Sequence, residues 1–306
     1  MIVRPRPHWA HLLFVRRGSI VRHIVSQQLF IFLVSCVVVV AHGYLLHWKV
    51  TLTSSPFSLM GVALAIFLGF RINASYDRYW EARKLWGAVL VEARNLARQA
   101  LTLPTDKMPL QTVRPFVLGI VGFATAMRNQ LRGQANLTGM DGLLPETLQE
   151  RVNQARFAPV LILLWLGEWL QDLRRMGQLD VVLAQHMERS LDGLSAALGG
   201  CERIASTPLP FTYTVILHRS AYLYCTLLPF GLVDAIGFMT PLVVCFISYT
   251  FFALEALSDE IEEPFGMMAN DLALDSMRAG IEASLREMLG ETPLPAPKPD
   301  HNFLLY

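Results

Sequence analysis

The side chains best placed to do chemistry in this sequence are not those of an enzyme. Val62, Ile66 and Phe70 recur at i, i+4 and i+8, so on a helix they form one apolar stripe. Asn73 and Asp77 continue roughly the same side. Bulky apolar groups in a narrow passage act as a dewetting barrier, and an amide and a carboxylate beyond it form a polar vestibule. Only several copies of the helix can close such a ring around an axis. The plainer reading is that the stripe meets lipid or another helix, while Gly61, Ala63, Ala65 and Gly69 let neighbouring backbones approach closely.

Other chemistries find little support. The chain contains no G-x-G-x-x-G, no G-x-x-x-x-G-K-[ST], no H-E-x-x-H and no G-x-S-x-G, so no enzyme class is indicated and no cofactor is expected. His8 and His11 have a helical metal spacing but no carboxylate or cysteine beside them, and no metal site is expected there. Cys36, Cys201, Cys225 and Cys245 lie far apart and read as buried thiols. The acidic group Glu255, Asp259, Glu260, Glu262 and Glu263 follows an apolar run. It reads as a charged exit from that run, with cation binding as the alternative.

The elements that position these residues are membrane helices. Of 306 residues, 53% are hydrophobic and 17% charged, and the mean hydropathy of +0.38 is too apolar for an ordinary soluble chain. A net charge of +1 gives no basic stripe for nucleic acid. No formal charge occurs between Arg22 and Lys49, giving a first span with its core at Ile24–Leu46. A second uncharged stretch follows Lys49, and Ser54-Ser55-Pro56 marks its helix start. This helix meets no breaker until Pro104, so it is predicted to run on to about Leu103. From Ser220 to Leu254 only Asp234 is charged, which predicts a short helix, a turn at Asp234 and a longer helix.

Arg4, Arg6, Arg16, Arg17 and Arg22 precede the first span, which orients both termini toward the cytoplasm. These arginines lead into an apolar run too long for a signal core, so the segment reads as an anchor rather than a cleaved leader. Amphipathic helices are predicted from Arg71 to Arg219, with Phe116–Met127 and Phe157–Gly167 too short to span and therefore core helices. Prolines at 293, 295, 297 and 299 predict an extended, mobile tail. The expected organisation is a cytoplasmic segment over 1–23, two spans over 24–103, a cytoplasmic helical region over 104–219, two further spans over 220–257, a helical segment over 258–290 and the tail over 291–306.

The stretch from Phe67 to Gly87, which includes Arg78, Glu81, Arg83 and Trp86, resembles the signature that follows the pore-lining helix of bacterial bestrophins. Ile261-Glu262-Glu263-Pro264-Phe265-Gly266 is similar to the family's pattern beyond the last span. The resemblance implies an all-α membrane protein with four transmembrane helices per chain, assembled as a homopentamer around an axial pore in the lipid bilayer. It places the neck at Val62, Ile66 and Phe70, the vestibule at Asn73 and Asp77, and a cytoplasmic exit constriction near Asp180 and Val181. Animal relatives follow Pro-Phe-Gly with an acidic run that clamps calcium. Here Gly266 is followed by Met267-Met268-Ala269-Asn270-Asp271, too few carboxylates for a cation that takes 6–8 oxygens.

Bacterial members are associated with passage of monovalent cations such as sodium, animal members with chloride. An aliphatic collar agrees with the former, because only Phe70 offers the partly positive ring edge that favours anions. The rival function is a membrane-anchored sensor or scaffold whose cytoplasmic helices bind a partner.

Overall fold

The computed structural model describes residues 1–3, 8, 10, 18–41, 44–45, 48–49, 53–106, 108–292, 295, 297–301 and 303–306. Arg4, Arg6, His11, Arg16, Arg17 and Pro293 lie outside the described residues, so the N-terminal arginine bias, the His8–His11 pairing and part of the proline-rich tail have no structural counterpart here.

Helix α1 covers Val21–Val40 and ends with the Ala41 amide bonded to the Val37 carbonyl at 2.9 Å. The first span is therefore shorter than the expected core reaching Leu46. Twenty residues at 1.5 Å each already cross the hydrocarbon layer. Beyond it, β1 (Tyr44–Leu45) and β2 (Trp48–Lys49) pair antiparallel as a minimal ribbon. Helix α2 runs without a break over Ser54–Thr102. It stops just before Pro104, which has no N–H to continue the ladder.

Helices α3 (Leu110–Leu131), α4 (Glu146–Asn153), α5 (Ala158–Arg175) and α6 (Val181–Ser206) follow. Helix α7 covers Phe211–Ile236, a 3₁₀ turn covers Gly237–Met239, α8 covers Thr240–Glu262 and α9 covers Leu274–Met288. The reversal expected at Asp234 is thus at Gly237, whose φ of +55° a side chain would strain. Thr240 Oγ1 donates to the Gly237 carbonyl at 2.6 Å and holds the corner. Asp234 stays exposed in the last turn of α7, and that helix starts at Phe211, well before the expected Ser220.

The chain divides into two compact units. One comprises Pro5–Tyr79 and Pro208–Glu263. Its core packs Ile24 and Ile31 of α1, Leu64 and Leu68 of α2, Leu217, Tyr224 and Leu228 of α7, and Val244, Phe251 and Phe252 of α8. Lipid is as apolar as these side chains, so close fit rather than water exclusion holds them together. Only 17–22% of the apolar windows of α1, α2 and the α7–α8 segment is buried inside the protein, as expected of helices that present their sides to lipid.

The other unit comprises Met1–Arg4, Trp80–Thr207 and Pro264–Tyr306. Helix α3 is also long and apolar enough to cross a membrane, but 72% of its apolar window is buried in protein. Its Phe116 ring stacks on Trp169 of α5 at 4.0 Å between centroids. A Cβ at Gly119 would sit 2.5 Å from Trp165 Cζ3, and one at Gly122 2.6 Å from Leu144 Cδ2. Those contacts define a core helix. Cys201 of α6 is buried here, and burial, with Glu81 and Glu202 nearby, pushes its thiol up to about 12. Cys225 is also buried, whereas Cys36 and Cys245 are only half-buried.

The tail is not the free segment its prolines predict. The Met1 ammonium donates to the Leu305 carbonyl at 2.6 Å, the Leu305 amide to the Met1 carbonyl at 2.8 Å and the Val3 amide to the Phe303 carbonyl at 2.9 Å. The Ser276 amide, at the start of α9, donates to the Tyr306 carbonyl at 2.7 Å. Backbone pairing between distant ends, invisible to any local pattern, anchors the tail.

Candidate pore-lining helix

Helix α2 carries the candidate site because two of its faces have opposite characters. Leu64, Leu68, Arg71 and Ser75 form the buried face, at 4%, 3%, 1% and 0% exposure. Val62, Ile66 and Phe70 are 60%, 53% and 62% exposed. Asn73 and Asp77 are exposed as well. The expected packing face of small residues is only partly right. A Cβ at Gly61 would lie 2.8 Å from Tyr224 Oη, but one at Gly69 would meet open space, and Ala65 is exposed. Leucines and polar anchors, not glycines and alanines, fix how α2 is turned.

The sequence singles out Arg78 and the carboxylates of the acidic group, but not their partners Arg71, Ser75, Ser258 and His218. Arg71 Nη2 bonds to Asp259 and lies 3.7 Å from Glu262. The hydroxyls of Ser75 and Ser258 meet at 2.9 Å. Arg78 Nε donates to the Glu262 carbonyl at 3.1 Å, and Glu262 Oε1 accepts from the Leu209 amide at 2.9 Å. Glu255 reaches His218 Nδ1 at 2.7 Å. The acidic cluster is thus neither a bare solubilising cap nor an open cation site: Glu255, Asp259 and Glu262, on one face of α8, each engage a partner within this unit. Arginine as the first charge after one apolar run and carboxylates at the end of another was the signal available. Pairing them required the packing of α2 against α8.

Pinning Arg71 and Ser75 inward turns Ile66 and Phe70 outward, because residues 66 and 70 lie on other sides of the same turns. The anchors act on the stripe through helix geometry. A guanidinium that is 1% exposed cannot be released cheaply, so the rotation of α2 is firmly set.

The second expected constriction lies in the other unit. Asp180 is the N-cap of α6, its carboxylate accepting from the Val182 amide at 2.8 Å. That cap occupies a carboxylate oxygen and aligns with the positive end of the helix. Val181 follows it, 62% exposed.

Among the family-motif residues of this unit, Glu81 pairs with Arg203, Arg83 lies over the Trp80 ring at 5.3 Å, and Trp86 is 1% exposed. Pro264 and Phe265 are buried, and the Phe265 carbonyl accepts from Arg132 Nε at 3.3 Å. Gly266 is half-buried, and in the first unit Glu263 is exposed. Asp271 Oδ2 accepts from the Met268 amide at 2.6 Å, closing the turn after Gly266. Among the described residues no three His, Cys, Asp or Glu side chains converge as a metal site.

Asp275 bonds both Arg128 Nη1 and Arg132 Nη1 at 2.7 Å. Burial pushes the Asp275 carboxyl up, but the two arginines outweigh burial and hold it below its ordinary value.

Comparison with known proteins agrees with this architecture. The family model for bacterial and fungal bestrophin proteins matches residues 1–287. A voltage-dependent anion channel-forming protein of Ralstonia nicotianae is 47% identical over 294 residues, 96% of each chain. The voltage-dependent anion channel-forming protein YneE of Escherichia coli K12 is 44% identical over 306 residues, the whole of both chains. A crystal structure of a bacterial bestrophin homolog from Klebsiella pneumoniae superposes with a TM-score of 0.84 at 42% identity, covering 88% of this chain and 100% of that one. With the fold, the two motifs and nearly the full length in agreement, the chain belongs to the bacterial and fungal bestrophin family.

Proposed function

We propose that the chain is the subunit of a homopentameric ion channel in the cell's inner membrane, with both termini cytoplasmic, passing monovalent cations such as sodium. The observation that carries this reading is the exposed Val62, Ile66 and Phe70 stripe leading to exposed Asn73 and Asp77, while Arg71 and Ser75 are pinned inward. Repeated around an axis, the stripe forms an aliphatic neck, and Asp77 adds a ring of carboxylates below it. Asp77 makes no ion pair among the described residues, so its charge is available to the permeant ion. Carboxylate rings favour cations. Val181 is the second constriction, with Asp180 serving its helix as a cap.

Chloride is the competing permeant ion, favoured by relatives called anion channel-forming proteins. Purified protein in liposomes separates the readings. Sodium flux above chloride flux, with the ratio falling in Asp77→Asn, supports the cation pathway. Chloride flux alone selects the anion reading. An assembled protein that passes neither is a scaffold, and a mass in detergent of one or two chains rules out the pentamer.

A further inference from the structure

We propose that the cleft between residues 83–94 of α2 and helix α9 is a binding site for a small organic anion, a carboxylate or phosphate carried on a compact apolar group. The site lies wholly within the unit that contains Trp80–Thr207 and Pro264–Tyr306 and is independent of the conduction pathway proposed above. Its volume is about 290 Å³, at the small end of ligand pockets.

Three features of the lining point to this class of ligand. The first is charge. Arg83 and Arg94 both line the cleft, three helical turns apart on one face of α2. Neither forms an ion pair among the described residues: Arg83 lies over the Trp80 ring, and Arg94 Nε donates to Ser284 Oγ at 3.2 Å. Elsewhere in this unit Arg128, Arg132, Arg203, Arg278 and Arg286 each meet a carboxylate. Two guanidiniums thus face one cleft without an anion among the described residues, and guanidinium is the group suited to bidentate contact with carboxylate or phosphate.

The second feature is shape. Gly87 on α2 and Gly280 on α9 both line the cleft, and a Cβ built on either meets nothing within 4 Å. The hollow exists because both helices carry glycine in their interiors, at a cost of about 1 kcal/mol each relative to alanine. Glycines that allow close helix contact would show the opposite, as Gly200 does, where a Cβ would lie 2.8 Å from Leu85.

The third is the wall. Leu90, Met277 and Ile281 supply apolar surface, which excludes a fully hydrated ion as the best fit and suits an amphiphile. Trp86 completes that wall.

The test is equilibrium dialysis of the purified, assembled protein against radiolabelled benzoate, with benzamide and inorganic phosphate as competitors. Saturable benzoate binding is expected, displaced poorly by benzamide, which lacks the charge, and by phosphate, which lacks the apolar ring. The Arg83→Gln, Arg94→Gln double variant should bind about ten-fold more weakly or worse, as loss of charge-assisted hydrogen bonds implies. Gly280→Val should abolish binding by filling the hollow. Monodisperse elution checks that each variant folds, and Gly280→Ala, whose Cβ enters open space, replaces Gly280→Val if the latter does not assemble. No binding to the wild-type protein, undiminished binding in the variants, or equal displacement by benzamide or phosphate would each overturn the assignment.

Discussion

Replacing Asp259 by asparagine tests whether a buried ion pair sets the rotation of α2. Arg71 is 1% exposed, whereas the Asp259 side chain is 56% exposed and that of Glu262 is 13%. Breaking a fully buried pair costs about 3–5 kcal/mol, because the remaining charge is left without compensation. Water screens Asp259, and Glu262 stands 3.7 Å away as a second partner. At an effective dielectric of about 20, that separation corresponds to a gross attraction of about 4.5 kcal/mol, so Glu262 recovers part of the loss. The expected cost of Asp259→Asn is about 2 kcal/mol, and of Asp259→Asn with Glu262→Gln about 4 kcal/mol. For a chain of this size 2 kcal/mol lowers Tm by about 3–6 °C. Adding Arg71→Met to the double variant removes the stranded cation and should restore most of the stability. Thermal unfolding of the purified protein, followed by elution profile, reads all four proteins. If Asp259→Asn with Glu262→Gln leaves Tm unchanged, or if Arg71→Met deepens the loss instead of repairing it, the pair does not hold the helix.

Ile66→Ala should widen the neck and raise ion flux in liposomes, and Ile66→Phe should shift relative permeability toward anions by presenting ring edges; wild-type flux and selectivity in both would place the neck on another face. Micromolar calcium should leave flux unchanged, since Glu262 and Asp271 are already engaged by Arg71, the Leu209 amide and the Met268 amide; activation lost in Glu262→Gln, Glu263→Gln would contradict this. Asp275 is depressed in the folded state, so it contributes stability above the ordinary aspartate range that is lost as pH falls through its lower folded value. Tm of Asp275→Asn should therefore lie below wild type at neutral pH and converge with it in acid, and a gap independent of pH would refute the ion-pair account.

Much of this protein is legible in the one-dimensional pattern because the membrane imposes a one-dimensional rule. Apolar length reveals α1, the start of α2 and the α7–α8 region, since a helix must satisfy its own backbone in lipid. Pro104 likewise marks the end of α2, because proline acts on the ladder locally. The stripe of Val62, Ile66 and Phe70 follows from helical periodicity alone. What periodicity cannot say is which face turns inward. That depends on partners far along the chain: Arg71 with Asp259, and Ser75 with Ser258. The α7–α8 corner illustrates the same limit at short range, for both Asp234 and Gly237 are plausible breaks, and only backbone geometry with φ at +55° selects Gly237. The tail is the extreme case. Its prolines describe a chain without internal hydrogen bonds, yet residues 303–306 find donors and acceptors at Met1, Val3 and Ser276. Composition fixes the solvent each segment can tolerate; the pairing of charges and backbone groups across long sequence separations is decided only when the helices pack.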